Sequence, residues 1–231
     1  GCLVGAEAED NTISAALDRA MAAGAEVRGT TSPNPPVGAV IVSAAGEVAG
    51  VGATQPVGGA HAEVMALRAA GEKARGGTAV VTLEPCAHTG RTGPCTQALI
   101  DAGVACVYYL HSDPTSQAAG GARALAEAGV DVIKLEKPPQ VEDALMPWLW
   151  AMRTRRPHIT LKFAQSLDGF TAAADGTSQW ITGESARDWV HADRARRDAI
   201  VVGTGTALAD NPSLTARFRN CLLYTSPSPR D

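Results

Sequence analysis

Thr78-Ala79-Val80-Val81-Thr82-Leu83-Glu84-Pro85-Cys86 is the stretch from which the rest of the chain can be placed. Its first six residues form a short apolar, β-branched run of the kind found in a fully buried strand. Cys86 follows that strand directly, behind Pro85. Working toward the N-terminus, residues 61–70 are rich in Ala, Leu and Met and predict a helix, entered through Gly58-Gly59. Before it, 37–42 and 47–52 are β-rich runs separated by Ser43 to Gly46, the pattern of a hairpin. A Pro-rich loop, 31–36, precedes the hairpin. Residues 11–23 set Ile13, Leu17, Ala20 and Met21 at helical spacing.

Toward the C-terminus, 94–102 predicts a helix, 106–110 a strand, 121–128 a helix and 130–135 a strand. After the hairpin the order is therefore strand, helix, strand, helix, strand, which is a three-layer α/β pattern. A charged, Pro-containing break at 137–140 leads to an apolar segment, 141–152, and then to the Arg-Pro segment 153–157, which sets a domain boundary near Arg155. Beyond it, 159–164 and 199–202 read as strands flanking a helix over 184–197, and Gly203-Thr204-Gly205 reads as a strand-to-loop turn. No internal repeat is apparent.

The bulk properties restrict what this organisation can do. The chain has 231 residues, 45% apolar and 19% charged, which suits one complete domain and part of another with a sizeable core. The net charge is −4, and the dense positive clusters are Arg153 to Arg156 and Arg194 to Arg197. A nucleic-acid surface has weak support, and a small anionic substrate fits better. No stretch approaches the roughly 18–20 apolar residues that span a bilayer, and no signal peptide is apparent, so the chain reads as cytoplasmic with no membrane partner. Homo-oligomerisation stays open. Five cysteines, Cys2, Cys86, Cys95, Cys106 and Cys221, favour ligands or free thiols over bridges.

Two of those cysteines carry chemistry. His61-Ala62-Glu63, Pro85-Cys86 and Cys95 make a His/Cys/Cys set, matching the zinc-deaminase pattern of three protein ligands and an open fourth position for water. Zinc lowers the pKa of such a water toward about 7. Glu63 is the candidate proton shuttle, near the water and off the metal. Residues two apart in a regular helix point about 200° apart, so His61 and Glu63 can share a site only if the motif begins the helix. Pro94 suits a first helical position and puts Cys95 in the first turn, where partial positive charge favours a thiolate. A structural zinc site needs a fourth protein ligand, for which His88 and Cys106 are the nearby candidates.

Eight residues, 87–94, separate the two cysteines, unlike the short P-C-x-x-C spacing of cytidine and tRNA-type deaminases. With Ala87-His88-Thr89-Gly90-Arg91-Thr92-Gly93-Pro94, Thr31-Ser32-Pro33-Asn34-Pro35-Pro36-Val37-Gly38, His61-Ala62-Glu63 and Thr82-Leu83-Glu84-Pro85-Cys86, the chain resembles the bifunctional riboflavin-biosynthesis deaminase/reductase family. Lys162, Ser166-Leu167-Asp168-Gly169, Ser178-Gln179-Trp180-Ile181-Thr182 and residues 203–217 resemble its second domain.

That resemblance implies a cytidine-deaminase-like domain over 11–152, followed over 157–219 by part of a dihydrofolate-reductase-like domain. It implies hydrolytic deamination of a phosphorylated ribosylamino-pyrimidinone, then NADPH-dependent reduction of the ribosyl chain. By position, Asn34, His88 and Arg91 are implied substrate contacts in the first half, with Ser178, Arg194, Leu214 and Arg217 in the second. Ala164, Trp180, Thr206 and Asp210 are the implied cofactor contacts. Blander readings stand beside these: Asn34 as a turn residue, Arg91 as a solvated charge, Trp180 as a core aromatic, and Asp210-Asn211-Pro212 as an ordinary turn. For the whole chain the alternatives are a nucleoside, base or tRNA deaminase, or a non-catalytic zinc-stabilised binding module.

Residues 220–231 show no apolar period and no likeness to the family, and read as translated adapter or vector sequence. The expectation on that reading is that the reductase half is incomplete, exposes apolar surface, and carries out no reduction by itself.

Overall fold

The structure is a computed structural model, described over residues 7–87, 94–115, 120–136 and 143–217. The chain divides into two compact units, Gly1–His158 and Ile159–Asp231. In the first, five strands form one sheet in the order β2-β1-β3-β4-β5. Strand β1 (Gly38–Val42) pairs antiparallel with both β2 (Val48–Ala53) and β3 (Thr78–Leu83). Strands β3, β4 (Cys106–His111) and β5 (Asp131–Lys134) run parallel, with Thr78 opposite Cys106 and Cys106 opposite Asp131.

Side-chain alternation splits the core into two layers. Ala39, Ile41, Ala79, Val81, Leu83 and Val107 pack with residues of four helices: α2 (Ala62–Ala70), α3 (Cys95–Asp101), α4 (Gly121–Glu127) and α5 (Met146–Thr154). Val40, Val42, Val80, Tyr108 and Leu110 pack with Ile13, Leu17, Ala20 and Met21 of α1 (Glu7–Glu26). The run from Thr78 to Leu83 is buried throughout because both faces of β3 are covered. This is the three-layer α/β fold the sequence predicts. Cys106 points to the α1 layer and its sulfur is in a disulfide, against the expectation of ligands or free thiols. It is no fourth zinc ligand.

Helix α2 lies backbone to backbone on β2. A Cβ on Gly52 would come within 2.3 Å of Ala62 O and Ala66 N, so only glycine permits the approach that sets the start of α2.

Among the described residues of the second unit, α6 (Glu184–Arg194) and α7 (Thr204–Asp210) are the regular elements. The strands expected at 159–164 and 199–202 do not form, since a strand needs a neighbour to bond its N–H and C=O groups and no ladder is made there. Ile159, Leu161 and Phe163 keep the alternation of a strand but stand exposed. Gly203-Thr204-Gly205 is not a strand-to-loop turn: Gly203 is the N-cap of α7. No helix among the described residues is long and apolar enough to cross a membrane.

Gly52→Ala should lower the urea midpoint of the first unit by an amount equivalent to about 1–3 kcal/mol of overpacking. An unchanged midpoint would show that α2 can move off β2 freely.

Candidate metal centre and active site

The chain collects its reactive groups at one edge of the sheet, beyond the carboxyl ends of β3 and β4, where ligand sites of parallel α/β sheets form. Cys86 follows β3, and Cys95 is the first residue of α3, with Pro94 as its N-cap rather than its first helical residue. His61 is the N-cap of α2, with extended backbone at φ −72° and ψ 163°, and its carbonyl accepts the Met65 N–H at 3.1 Å. The motif therefore begins the helix, as the geometry of His61 and Glu63 demands. Gly58, at φ 91°, makes the turn into it.

The three donors converge. His61 Nδ1 lies 3.1 Å from Cys95 Sγ and 3.7 Å from Cys86 Sγ, and all three ligand atoms fall within 4.8 Å of one another. The Cys95 backbone N–H donates to Cys86 Sγ at 3.3 Å, which fixes that sulfur from outside the donor set. One imidazole nitrogen and two sulfurs at this separation fit zinc, whose bonds to them are about 2.0–2.3 Å. Among the described residues no fourth His, Cys, Asp or Glu joins the group, which favours an open position over a closed structural site.

The electrostatics follow from burial and from the shared sulfurs. Hydrogen bonds from Cys95 and then His61 bring the Cys86 thiol down to about 4. Cys95 is pushed up, first by its hydrogen bond with Cys86 and then by burial. Two thiols that share a hydrogen bond do not lose their protons together, so zinc binding is coupled to proton release from the pair. His61 is raised above the usual imidazole value, chiefly by its hydrogen bond with Cys86. Glu63, 4% exposed, is raised to about 7 by burial.

A cavity of about 180 Å³ opens onto this group. Its wall includes Asn34, Val37, His61, Glu63 and Cys86, so Asn34 is brought to the zinc set by the loop before β1. Thr54, Glu84, Asp113, Thr115 and Trp148 also line it, and sequence reasoning assigned none of them. Glu84 lay within a quoted motif, but its chain-distant neighbours carry no local pattern. His88 and Arg91 lie outside the described residues.

In the second unit, Arg194 and Arg217 are brought to Thr215, Arg194 Nη1 donating to its carbonyl at 3.3 Å and Arg217 Nη1 to its hydroxyl at 2.8 Å. His191 Nδ1 accepts the Arg217 N–H at 3.2 Å. Leu214, beside them, has φ 51°. Trp180 is no core aromatic: it is 71% exposed, with the Arg187 guanidinium 4.4 Å above its ring. Thr206 and Asp210 share one face of α7, four residues apart. Among the described residues, no side-chain hydrogen bond joins Ser178, Thr206 or Asp210 to the arginine group, and Ala164 is half-buried in the irregular 159–164 segment.

Protein purified without chelator should carry about one zinc per chain, and Cys95→Ser or His61→Ala should lose most of it, since three protein ligands leave no redundancy. Elemental analysis checks this. Full zinc retention by both variants would place the metal elsewhere.

The family described as the cytidine and deoxycytidylate deaminase zinc-binding region matches residues 10–111, and the RibD C-terminal domain matches residues 157–226. The riboflavin biosynthesis protein RibD of Corynebacterium ammoniagenes is 70% identical over 203 residues, covering 88% of this chain and 60% of that protein. That of Mycobacterium tuberculosis is 54% identical over 194 residues, covering 84% and 57%. A solved diaminohydroxyphosphoribosylaminopyrimidine deaminase/5-amino-6-(5-phosphoribosylamino)uracil reductase from Thermotoga maritima superposes with a TM-score of 0.85 at 36% identity, covering 91% of this chain and 61% of that one. The chain thus spans about 60% of the length of these three relatives. Two family patterns in the same order along one chain, and identity of this level across both units, show that the chain belongs to the riboflavin-biosynthesis deaminase/reductase family.

Proposed function

We propose that the first unit hydrolyses an amino group from the ring of 2,5-diamino-6-ribosylamino-pyrimidinone 5'-phosphate. The observation that supports it most is that Glu63 lines the same cavity as His61 and Cys86, which converge with Cys95, without being one of the three donors. Bound zinc would supply Lewis acidity and bring the pKa of water toward about 7. Glu63 takes one proton from the attacking water and gives it to the ring nitrogen, then takes the second from the hydroxyl added to the ring carbon and gives it to the departing amine. The C–N bond breaks as the ring carbonyl forms, and ammonia leaves. Asn34 offers an amide donor and acceptor to the ring edge, while Val37, Leu83 and Trp148 present apolar surface to its faces. His88 and Arg91 are assigned to the substrate by resemblance, Arg91 as a fork for phosphate.

Residues 11–152 are assigned to this deaminase and 157–219 to the first part of the reductase; the RibD C-terminal match runs on to residue 226, into the stretch 220–231 expected to be non-native. In the second unit Ser178, Arg194, Leu214 and Arg217 are assigned to the phosphorylated sugar, and the approach of the two guanidinium groups to Thr215 supports an anion there. Ala164, Trp180, Thr206 and Asp210 are assigned to NADPH of the longer relatives' reductase.

An ammonia-release assay across the pyrimidinone phosphate, cytidine and adenosine tests the substrate, with turnover expected for the first alone. Glu63→Gln should retain zinc and lose at least about a hundredfold in kcat, the lower bound of a general acid–base contribution. Unchanged turnover in that variant, or release from cytidine or adenosine instead, would contradict the reading.

A further inference from the structure

Glu84 is a buried carboxylate, 8% exposed, on the wall of the cavity and two residues before Cys86. Its backbone continues the sheet, the Glu84 N–H donating to His111 O at 2.8 Å. Its side chain does something else. Oε2 accepts the Asp113 N–H at 3.2 Å and Oε1 accepts the Ala122 N–H at 3.0 Å. The first bond holds the segment of Asp113 and Thr115, both of which line the cavity. The second caps α4, whose own N-cap, Gly120, makes no side-chain cap bond.

The start of α4 is also wedged against the cysteine-bearing segments. A Cβ on Gly121 would lie 1.7 Å from Pro85 O and 3.4 Å from Thr96 Cγ2. Pro85 precedes Cys86 and Thr96 follows Cys95. Among the described residues, Glu84 has no Lys, Arg or His partner. A buried carboxylate without a counter-ion is destabilising unless donors satisfy it. What the carboxylate offers that a neutral isostere cannot is acceptance at both oxygens, and here each oxygen is spent on a different chain segment.

We propose that Glu84 is a positioning residue for the deamination: by bonding two backbone N–H groups at once it fixes the Asp113–Thr115 wall of the cavity relative to the zinc-ligand segments, and thereby sets substrate affinity. This rests on the deaminase reading. Glu84→Gln keeps the volume but replaces one acceptor by an NH2 group, so one of the two N–H groups loses its partner. A bond to a charged acceptor supports about tenfold in affinity, so KM should rise about tenfold while kcat stays within about threefold. Zinc content should be unchanged, and amide exchange should accelerate at residues 113–115 or 121–122 with the segment around Cys86 unaffected.

Leu125→Val separates positioning from plain helix stability, because Leu125 is fully buried in α4 and lies outside the cavity wall. It should lower the melting temperature and leave KM unchanged. An equal rise of KM in both variants, or unaltered exchange at 113–115 and 121–122 in Glu84→Gln, would overturn the proposal. So would a wild-type KM in Glu84→Gln when the wild-type chain turns over. A zinc-loaded wild-type chain that releases no ammonia would instead overturn the deaminase reading, and this proposal with it.

Discussion

The structure depends on holding an imidazole and two sulfurs close together in a buried place before any metal repays their desolvation. Buried polar groups are costly unless paired, and here each donor is paired with another: His61 with Cys95 and Cys86, and Cys86 also with the Cys95 N–H. The sheet makes this possible. Strand β3 delivers Cys86, while α2 and α3 begin at the same edge with His61 and Cys95 at or beside their N-caps. Backbone contact between β2 and α2 at Gly52 fixes one of these positions, and the packing of Gly121 on Pro85 braces another.

That arrangement leaves two carboxylates in different surroundings. Glu63 is buried beside the donors, where desolvation raises it toward neutral pH, the range that suits the proton transfer proposed for it. Glu84 accepts the backbone N–H groups of Asp113 and Ala122, which hold its side chain between two chain segments. On the two proposals above, the same residue type serves proton transfer in one position and cavity shape in the other, decided by what surrounds it.

Much of the first unit was legible in the sequence because its signals are local. The strand from Thr78 to Leu83 has the bounds its apolar run predicts, and the start of α2 at Ala62 follows from requiring His61 and Glu63 on one side. The zinc donors were legible because their chemistry lies in the residue types. Thr54, Asp113, Thr115 and Trp148 were not, since they reach the cavity through the tertiary path of the chain. Glu84 was visible as part of a motif, but its partners are backbone N–H groups that any residue could supply. In the second unit, 159–164 has a strand's alternation and no strand's pairing, which shows that periodicity gives a face but not its neighbour. The short α7 was hidden by Gly203 and Gly205, which read as a turn.

X-ray absorption at the zinc edge of the purified chain tests the central claim most directly. Two sulfur neighbours at about 2.3 Å, with the rest of a four-coordinate shell made of nitrogen or oxygen at about 2.0–2.1 Å, is the predicted result. A shell of three or four sulfurs, or one with no sulfur at all, would contradict the account.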